Sequence, residues 1–258
     1  MSTLIRTLQF SVYDLSRLAR NWSTLFFSVA LPVFFYLLFG ANQDYSNQQI
    51  GNGNVAAYVM IGMALYAGAT GSVVAVANSV VEHETGWGRQ LALTPLTQPQ
   101  ILISNLLNIL VRAALPVTAV NIAGVFTGAS MPATAWIASY FLTILTALPI
   151  GFYGLAWGML MPTANSVSLA SGSIVLLAFA GNIFMPLTEG LMKIGRYTPM
   201  YGLGALARWP LTEGIQETQT EPYVMNDSFW LIMANIICWT LVFIFVCVLL
   251  RKRDKGRR

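Results

Sequence analysis

Residues 55–79 read VAAYVMIGMALYAGATGSVVAVANS and contain no charged side chain. A helix needs about 20 apolar residues to cross the hydrocarbon core of a bilayer, so this run is long enough to span it. The residues that follow, 82–99, read EHETGWGRQLALTPLTQP and are the densest group of polar side chains in the first half of the chain. Together the two stretches predict a membrane-spanning helix that ends in a short polar loop.

The composition of the whole chain is typical of a membrane protein. Of its 258 residues, 56% are hydrophobic and only 9% are charged, whereas soluble domains carry about 25% charged residues. Six apolar runs are long enough to span a bilayer, and they cover residues 23–41, 55–79, 101–126, 133–161, 166–185 and 229–250. The sequence therefore predicts an all-α polytopic membrane protein, with six transmembrane helices in a single transmembrane domain over residues 1–258.

Basic residues set the expected orientation. The C-terminal tail reads RKRDKGRR, and the N-terminal segment holds Arg6, Arg17 and Arg20. Because Lys and Arg concentrate in cytoplasmic segments, we expect both termini of this multi-pass protein in the cytoplasm. The loop over residues 82–95 then lies on the cytoplasmic side as well.

Two further segments are predicted to lie at the membrane without spanning it. Residues 1–22 place apolar side chains on one helical face and arginines on the other, as in a helix that lies in the cytoplasmic interface. Residues 187–211 are apolar but carry four charges and are interrupted by Pro199. We expect them to form a re-entrant helical hairpin on the outer side, because irregular backbone at membrane depth must be buried in protein or line a cavity.

The predicted spans lack the groups that an enzyme or an ion-coupled carrier needs. Arg112 is their one charged residue, and the chain has neither a GxxxxGK[ST] phosphate loop nor an HExxH motif. A membrane-embedded enzyme would need clustered His, Asp, Glu or Cys, and an ion-coupled carrier marks its ion path with intramembrane charge. Uphill transport would therefore draw its energy from a partner, and a stand-alone carrier or channel is the alternative.

The polar loop predicts a contact with a soluble protein. A short helix is expected over Gly86 to Leu93, between Thr85, which can cap it, and Pro95, which ends it. Trp87 and Leu91 are then neighbours on one face and form an apolar ridge. Because connectors rarely expose tryptophan without a reason, this ridge favours a plug for a socket on a partner over a loop that merely turns the chain.

The run from Glu82 to Pro95 resembles the cytoplasmic loop of ABC type-two exporter permeases, which typically shows Glu-Arg-Glu-x-Gly-Thr, a leucine-rich turn and Thr-Pro. His83 and the pair Trp87-Gly88 depart from that pattern. The resemblance covers nearly the whole chain, including LPVFFYLLFG at the end of the first span, and is closest to short drug- and antibiotic-resistance exporters of Gram-positive bacteria. The matching loop residues are Glu82, Glu84, Gly86, Leu91, Thr94 and Pro95.

The resemblance implies a non-catalytic permease subunit in the plasma membrane of a bacterial cell, which works by alternating access. Two such subunits would pair through spans one and five. Each would seat its loop on a separate ATP-binding-cassette ATPase, which holds ATP and Mg, so that this chain itself holds no cofactor and binds no nucleic acid. The exported substrate would be hydrophobic or amphipathic, such as a drug, antibiotic, peptide or lipid. The coupling contact is expected from Glu82, Glu84, Gly86, Trp87, Arg89 and Leu91, with Thr94 and Pro95 passing motion into span three.

Polar side chains suggest a path for the substrate. Asn105, Asn108 and Arg112 share one face of span three, which predicts either a cytoplasmic entrance or, equally, a snorkelling arginine with asparagines that bond a neighbouring helix. Span five carries Ala164, Ser168 and Gly172 at four-residue intervals. Small residues at that spacing let helices approach closely, so packing inside the subunit is one interpretation.

The resemblance places the same face of span five at the dimer seam, lining the path. Ser171 and Asn182 belong to this predicted lining. Phe184, Met185 and Pro186 would then close the path from outside as an outer gate.

Overall fold

The computed structural model describes residues 22–87, 93 and 97–255, without the side chains of residues 22–25, 27, 85, 87, 98, 102, 254 and 255. Apart from Trp22, the predicted interfacial helix over residues 1–22 lies outside this part of the chain. Most of the described residues are helical, in the helices α1 Trp22–Tyr36, α2 Val55–Glu82, α3 Gln98–Phe126, α4 Ala133–Leu145, α5 Ala147–Leu160, α6 Ala164–Ala180, α7 Glu189–Gly195, α8 Pro199–Thr212 and α9 Phe229–Lys255.

Shorter elements connect these helices. Two antiparallel hairpins form, one from β1 Gln49–Ile50 and β2 Gly53–Asn54, the other from β3 Ile215–Glu217 and β4 Val224–Asn226. A π-helical turn extends α1 and another extends α2, over Leu37–Ala41 and His83–Trp87.

Four helical stretches among the described residues have the length and composition of a membrane span. They are Val55–Glu82, Pro99–Phe126, Ala133–Leu160 and Phe229–Arg253, and two shorter apolar stretches cover Ser28–Ala41 and Ala164–Ala180. An all-α membrane protein is therefore confirmed. The count of six spans stays a prediction, because a helix of 17 residues is about 26 Å long and the hydrocarbon core is about 30 Å thick.

Helix α2 lies at the centre of the molecule. In its most apolar window 78% of the residues are buried, against 22% in α9. Small residues on its neighbours make this possible, since helices in a bilayer associate through close backbone approach. At Gly154 of α5, for example, a Cβ would lie only 2.6 Å from the carbonyl oxygen of Val73 in α2. Helix α2 therefore contacts protein on nearly all sides, while α9 leaves most of its surface open.

A proline interrupts the fourth of the predicted runs. Helix α4 ends at Leu145 and α5 begins at Ala147. Pro149 is the third residue of α5. Proline lacks a backbone N–H and its ring meets the carbonyl four residues earlier, which here belongs to Leu145. The break thus lies where the proline predicts it.

At its Asn54 end, α2 is bonded to the loop that follows α3, and the adjoining hairpin is bonded to α8. The Asn54 side chain caps the helix by accepting from the N–H of Ala57 at 3.0 Å, and it also accepts from the N–H of Ser130 and donates to the carbonyl of Gly128. Next to it, the N–H of Asn52 donates to the carbonyl of Leu211 in α8. These bonds fix the β1–β2 hairpin over the end of the helix bundle.

Helices α7 and α8 form a corner that α9 holds. The Nδ2 of Asn235 in α9 donates to the carbonyl of Arg196, and Trp239 Nε1 donates to the carbonyl of Tyr197. Arg196 also pairs with the buried carboxylate of Asp227 at 2.6 Å, and the hydroxyl of Tyr201 donates to the same carboxylate. The segment predicted as a hairpin over residues 187–211 therefore forms two helices packed on the last one, and its depth in the bilayer stays a prediction.

Candidate functional site

The predicted coupling loop starts directly from the central helix. Helix α2 runs to Glu82 and passes into the π-helical turn His83–Trp87. On this turn the side chains of His83 and Glu84 are 67% and 41% exposed, with 4.0 Å between His83 Nδ1 and Glu84 Oε1. The polar turn is thus continuous with the most buried of the four span-length helices, and any displacement of the turn acts on that helix.

The backbone of this loop differs from the expectation at one residue. Gly86 has φ 116° and ψ −11°, which is not helical. A positive φ of this size is open to glycine and strained for residues with a Cβ. The short helix predicted over Gly86 to Leu93 therefore does not include its first residue. The side chains of Trp87, Arg89, Leu91, Thr94 and Pro95 lie outside the described residues, so their coupling role stays a prediction.

Helix α3 carries the first group of predicted path residues. Asn108 is buried within the subunit, while Asn105 and Arg112 are half-buried at the margin of the same side. The backbone of Arg112 lies against α2, where a Cβ at Gly71 would be 2.9 Å from its carbonyl oxygen. Helix α3 therefore packs on α2 at Arg112, and the role of these three residues as a substrate entrance stays a prediction.

Helix α6 exposes its row of small residues. The buried row consists of Ser166, Ala170, Ile174 and Ala178, each four residues apart. Ser168 and Gly172 lie on the open side, and a Cβ at Gly172 would meet no atom within 4 Å. Packing inside the subunit is therefore not what this row does.

Ser171, which was also predicted in the lining, is half-buried next to that row. Its hydroxyl donates to the carbonyl of Ser168 at 3.0 Å. The hydroxyl of Ser171 is therefore bonded to its own helix, and the side chains at positions 168, 171 and 172 are all small.

The predicted outer gate is an aromatic cluster within one subunit. Phe184 is 3% exposed, and its ring packs edge-on against Tyr66, Phe179 and Phe35 at centroid distances of 4.7, 4.8 and 5.8 Å. The three partners come from α2, α6 and α1. Met185, by contrast, is 48% exposed, and Pro186 is half-buried. Of the three gate residues, Phe184 is thus the one that closes a contact.

Asn182 ends α6 and is bonded inside the subunit. Its φ is 60°, and the next N–H, of Ile183, donates to the carbonyl of Ala178. This is the Schellman arrangement, in which a left-handed residue follows the helix and asparagine tolerates that conformation. Its side-chain oxygen also accepts from the N–H of Leu187 at 2.9 Å. The placement gives Asn182 a structural role, which the pair Gly-Asn after an apolar run could have predicted.

Arg208 is the group that the sequence analysis missed. It is 1% exposed and is the largest fully buried side chain among the described residues. Its guanidinium donates to three carbonyls, with Nη1 at 2.7 Å from Asn182, Nη2 at 3.0 Å from Ile183 and Nε at 3.1 Å from Tyr58. It also lies 3.8 Å from the centre of the Tyr58 ring.

This environment explains how a permanent charge can be buried. A buried cation costs free energy unless hydrogen bonds and opposite charge compensate it. The carbonyls of Asn182 and Ile183 follow the C-terminal end of α6, where the helix dipole favours a cation. The ring of Tyr58 adds a cation–π contact. The ion pairs of the described residues do not include Arg208, so backbone dipoles hold this charge.

A carboxyl lies close to the same cluster. The N–H of Glu217 in β3 donates to the hydroxyl of Tyr58, which itself bonds the side chain of Gln216. Burial raises the pKa of the Glu217 carboxyl above its usual value, and attraction to Arg208 lowers it by less. The β3–β4 hairpin thus covers the cluster with an acid that is costly to ionise.

The two ends of α2 lie beside two different groups, the Arg208 cluster that the sequence analysis missed and the predicted coupling turn. Tyr58 stands near its first turn, beside Arg208, and the polar turn His83–Trp87 follows its last residue. A helix of 28 residues is about 42 Å long. One rigid and buried element therefore connects the polar loop with the clustered residues on the far side of the bundle.

Comparison with known proteins gives one distant similarity. The chain is 21% identical over 253 residues to the protein named "Putative transport permease YvfS" of Bacillus subtilis (strain 168). The aligned region covers 95% of this chain and 97% of that protein. No protein-family model matches the chain.

Proposed function

We propose that this protein is the permease subunit of an ATP-binding-cassette exporter, driven by a separate ATPase that docks on the loop over residues 82–95. The observation that carries the proposal is the continuity between that loop and α2. A polar turn with exposed His83 and Glu84 extends directly from the helix that is buried on nearly all sides. Force applied at the turn His83–Trp87 would reach the centre of the bundle along a single helix, from Glu82 onward.

Three further observations support the same function. Over nearly its full length, the chain is similar to the Bacillus subtilis protein named "Putative transport permease YvfS". Its sequence has no phosphate-binding loop of its own. Its loop matches the type-two exporter pattern at Glu82, Glu84 and Gly86 and again at Leu91, Thr94 and Pro95. A permease without a motor, similar to a transporter and carrying a docking loop, requires a partner that hydrolyses ATP.

Dimerisation through α1 and α6 completes the proposal. The open face of α6 offers Ser168 and Gly172, where nothing lies within 4 Å of the added Cβ at Gly172. Helix α1 offers Phe26 and Phe34, which are 64% and 53% exposed. A partner subunit can approach closely at these two small positions, which lie beside the exposed side chains of Leu169 and Leu176. The path for a hydrophobic or amphipathic substrate would then lie between two copies of this face.

The test begins with a search of the genes beside that of this protein for a soluble ATPase with a phosphate loop, whose presence we expect. The two proteins are co-expressed, the permease is purified through a tag, and the retained ATPase and its turnover are measured. We expect Trp87→Asp to release the ATPase, because a charge placed in an apolar socket loses hydration without gaining a partner. Tyr223→Asp is the matched control, since Tyr223 is an exposed aromatic residue on the opposite hairpin.

Retention of the ATPase by the Trp87→Asp variant, at the level of the control, would contradict the docking role of the loop. Transport without any ATPase partner would favour a stand-alone carrier or channel instead.

A further inference from the structure

The turn over residues 181–187, which carries Phe184, is held to the bundle by directional bonds. Arg208 donates to the carbonyls of Asn182 and Ile183 within the turn and to that of Tyr58 in α2. Hydrogen bonds from a charged donor are shorter and stronger than those between neutral groups. The guanidinium therefore ties together the end of α6, the first turn of α2 and helix α8.

The turn is also enclosed from both sides by glycines. A Cβ at Gly62 of α2 would lie 2.3 Å from Arg208 Nη2 and 2.6 Å from the carbonyl oxygen of Ile183. A Cβ at Gly204 of α8 would lie 2.4 Å from Ile183 Cδ1. A methyl group at Gly62 would therefore displace the backbone of the turn, whereas at Gly204 it would displace the side chain of Ile183.

The contact between Phe184 and α1 is instead formed by two aromatic rings without a hydrogen bond between them. The Phe35 and Phe184 rings meet edge-on at 5.8 Å. A contact between two rings can be broken and remade without leaving a polar group unpaired. Opening the Arg208 side, by contrast, would leave a buried guanidinium and two carbonyls without partners.

We propose that Arg208 is a positioning residue for the outer gate. It locks the turn over residues 181–187 to α2 and α8, so that the path opens where α1 separates from Phe184 while the turn stays attached to the bundle. The locking role concerns the fold of the permease alone. The opening between α1 and Phe184 rests on the proposed transport function.

The locking role is tested by thiol labelling of the full-length permease in proteoliposomes. Cys238 and Cys247 are replaced by serine, Ile183→Cys is introduced at a position that is 1% exposed, and its reaction with a membrane-impermeant maleimide is timed. We expect Arg208→Met to speed labelling about ten-fold or more, because the turn then opens locally. Arg208→Lys keeps the charge and should restore part of the protection. Lys193→Met, which removes an exposed cation of the neighbouring α7, should leave the rate unchanged.

A second variant keeps the test decisive if Arg208→Met fails to fold. Gly62→Ala retains every charge but displaces the guanidinium, and it should speed labelling as well. Its matched control is Gly190→Ala, since a Cβ at Gly190 meets nothing within 4 Å. Labelling of Ile183→Cys that stays as slow in both Arg208→Met and Gly62→Ala as in the controls would overturn the locking role.

The opening is tested by distances between spin labels in the complex of permease and ATPase. Labels at Met185 and Phe34 span the contact with α1, and labels at Met185 and Asn52 span the contact with the bundle, since the N–H of Asn52 donates to α8. We expect ATP to lengthen the first distance by about 5 Å, the scale of a one-turn helix movement in switching proteins, and the second distance to change less.

A larger change in the Met185–Asn52 distance would overturn the proposed opening. If ATP changes neither distance, the proposed function fails, and the labelling experiment on the permease alone still decides the role of Arg208.

Discussion

The central position of α2 predicts how two glycines respond to the same substitution. At Gly154 a Cβ would lie 2.6 Å from the carbonyl oxygen of Val73 and 2.8 Å from its Cα. Carbon–oxygen contacts between helices are normally about 3.3 Å or longer, so the two helices must separate by about 0.7 Å. At Gly172 nothing lies within 4 Å, so alanine fits there without any movement.

The two substitutions are expected to change the free energy of unfolding in opposite directions. Overpacking a helix contact costs about 1–3 kcal/mol, and the better helix propensity of alanine offsets about 0.5–1 kcal/mol of this. Gly154→Ala should therefore destabilise the permease by about 1–2 kcal/mol. In a detergent that keeps the permease monomeric, Gly172→Ala should stabilise it by up to about 1 kcal/mol, because only the propensity term acts there.

Thermal unfolding of the purified permease, followed by circular dichroism in one detergent, separates the two cases. The apparent Tm of Gly154→Ala should fall below that of the unmodified protein, and the apparent Tm of Gly172→Ala should equal or exceed it. If Gly154→Ala is as stable as Gly172→Ala, the close approach of α5 to α2 is wrong, and with it the central position of α2.

Three further substitutions test other parts of the structure. Glu217 has a raised pKa in the folded state, so its contribution to stability is complete below the usual glutamate pKa and is lost as pH rises through the raised value. Glu217→Gln should therefore raise the apparent Tm at about pH 8 and leave it unchanged at about pH 4. Asp227→Asn breaks a buried ion pair with Arg196 and should destabilise the permease by about 3 kcal/mol, measured as a drop in apparent Tm that Arg196→Gln in the same chain partly reverses. Asn54→Ala removes the cap of α2 and should cost about 1 kcal/mol in the same assay, whereas Asn226→Ala on an exposed strand should cost little.

Length and hydropathy were enough to predict the helical membrane body. The run over residues 55–79 contains no charge, and the structure places it in the helix Val55–Glu82. What the pattern could not show is that this helix is central. Its glycines and alanines are compatible with a lipid-facing helix too, and only the approach of neighbours such as Gly154 makes it buried on nearly all sides.

For a similar reason, the sequence could not show which side of α6 packs on the protein. Its rows Ser168–Gly172 and Ala170–Ile174 are both composed of residues that can face protein or lipid, so their hydropathy does not distinguish them. The structure turns the first row outward and the second inward.

Arg208 and Asn182 show a second limit. The sequence places four charges in the segment over residues 187–211 but does not identify what surrounds each of them. Arg208 is held by carbonyls of residues 25 and more positions away in the chain, and backbone carbonyls leave no residue-type signature. Asn182 did carry a signal, because Gly-Asn at the end of an apolar run is a common helix stop.

The most direct test of the central claim is a photo-crosslink from the loop in living cells. A benzophenone amino acid replaces Trp87, and in a parallel strain it replaces Tyr223 on the opposite hairpin. After irradiation, a docking loop predicts an adduct between the permease and the soluble ATPase from position 87 and none from position 223. The absence of that adduct from position 87, together with labelling of position 87 by a membrane-impermeant reagent added outside the cell, would contradict the proposal that this loop takes force from a cytoplasmic motor.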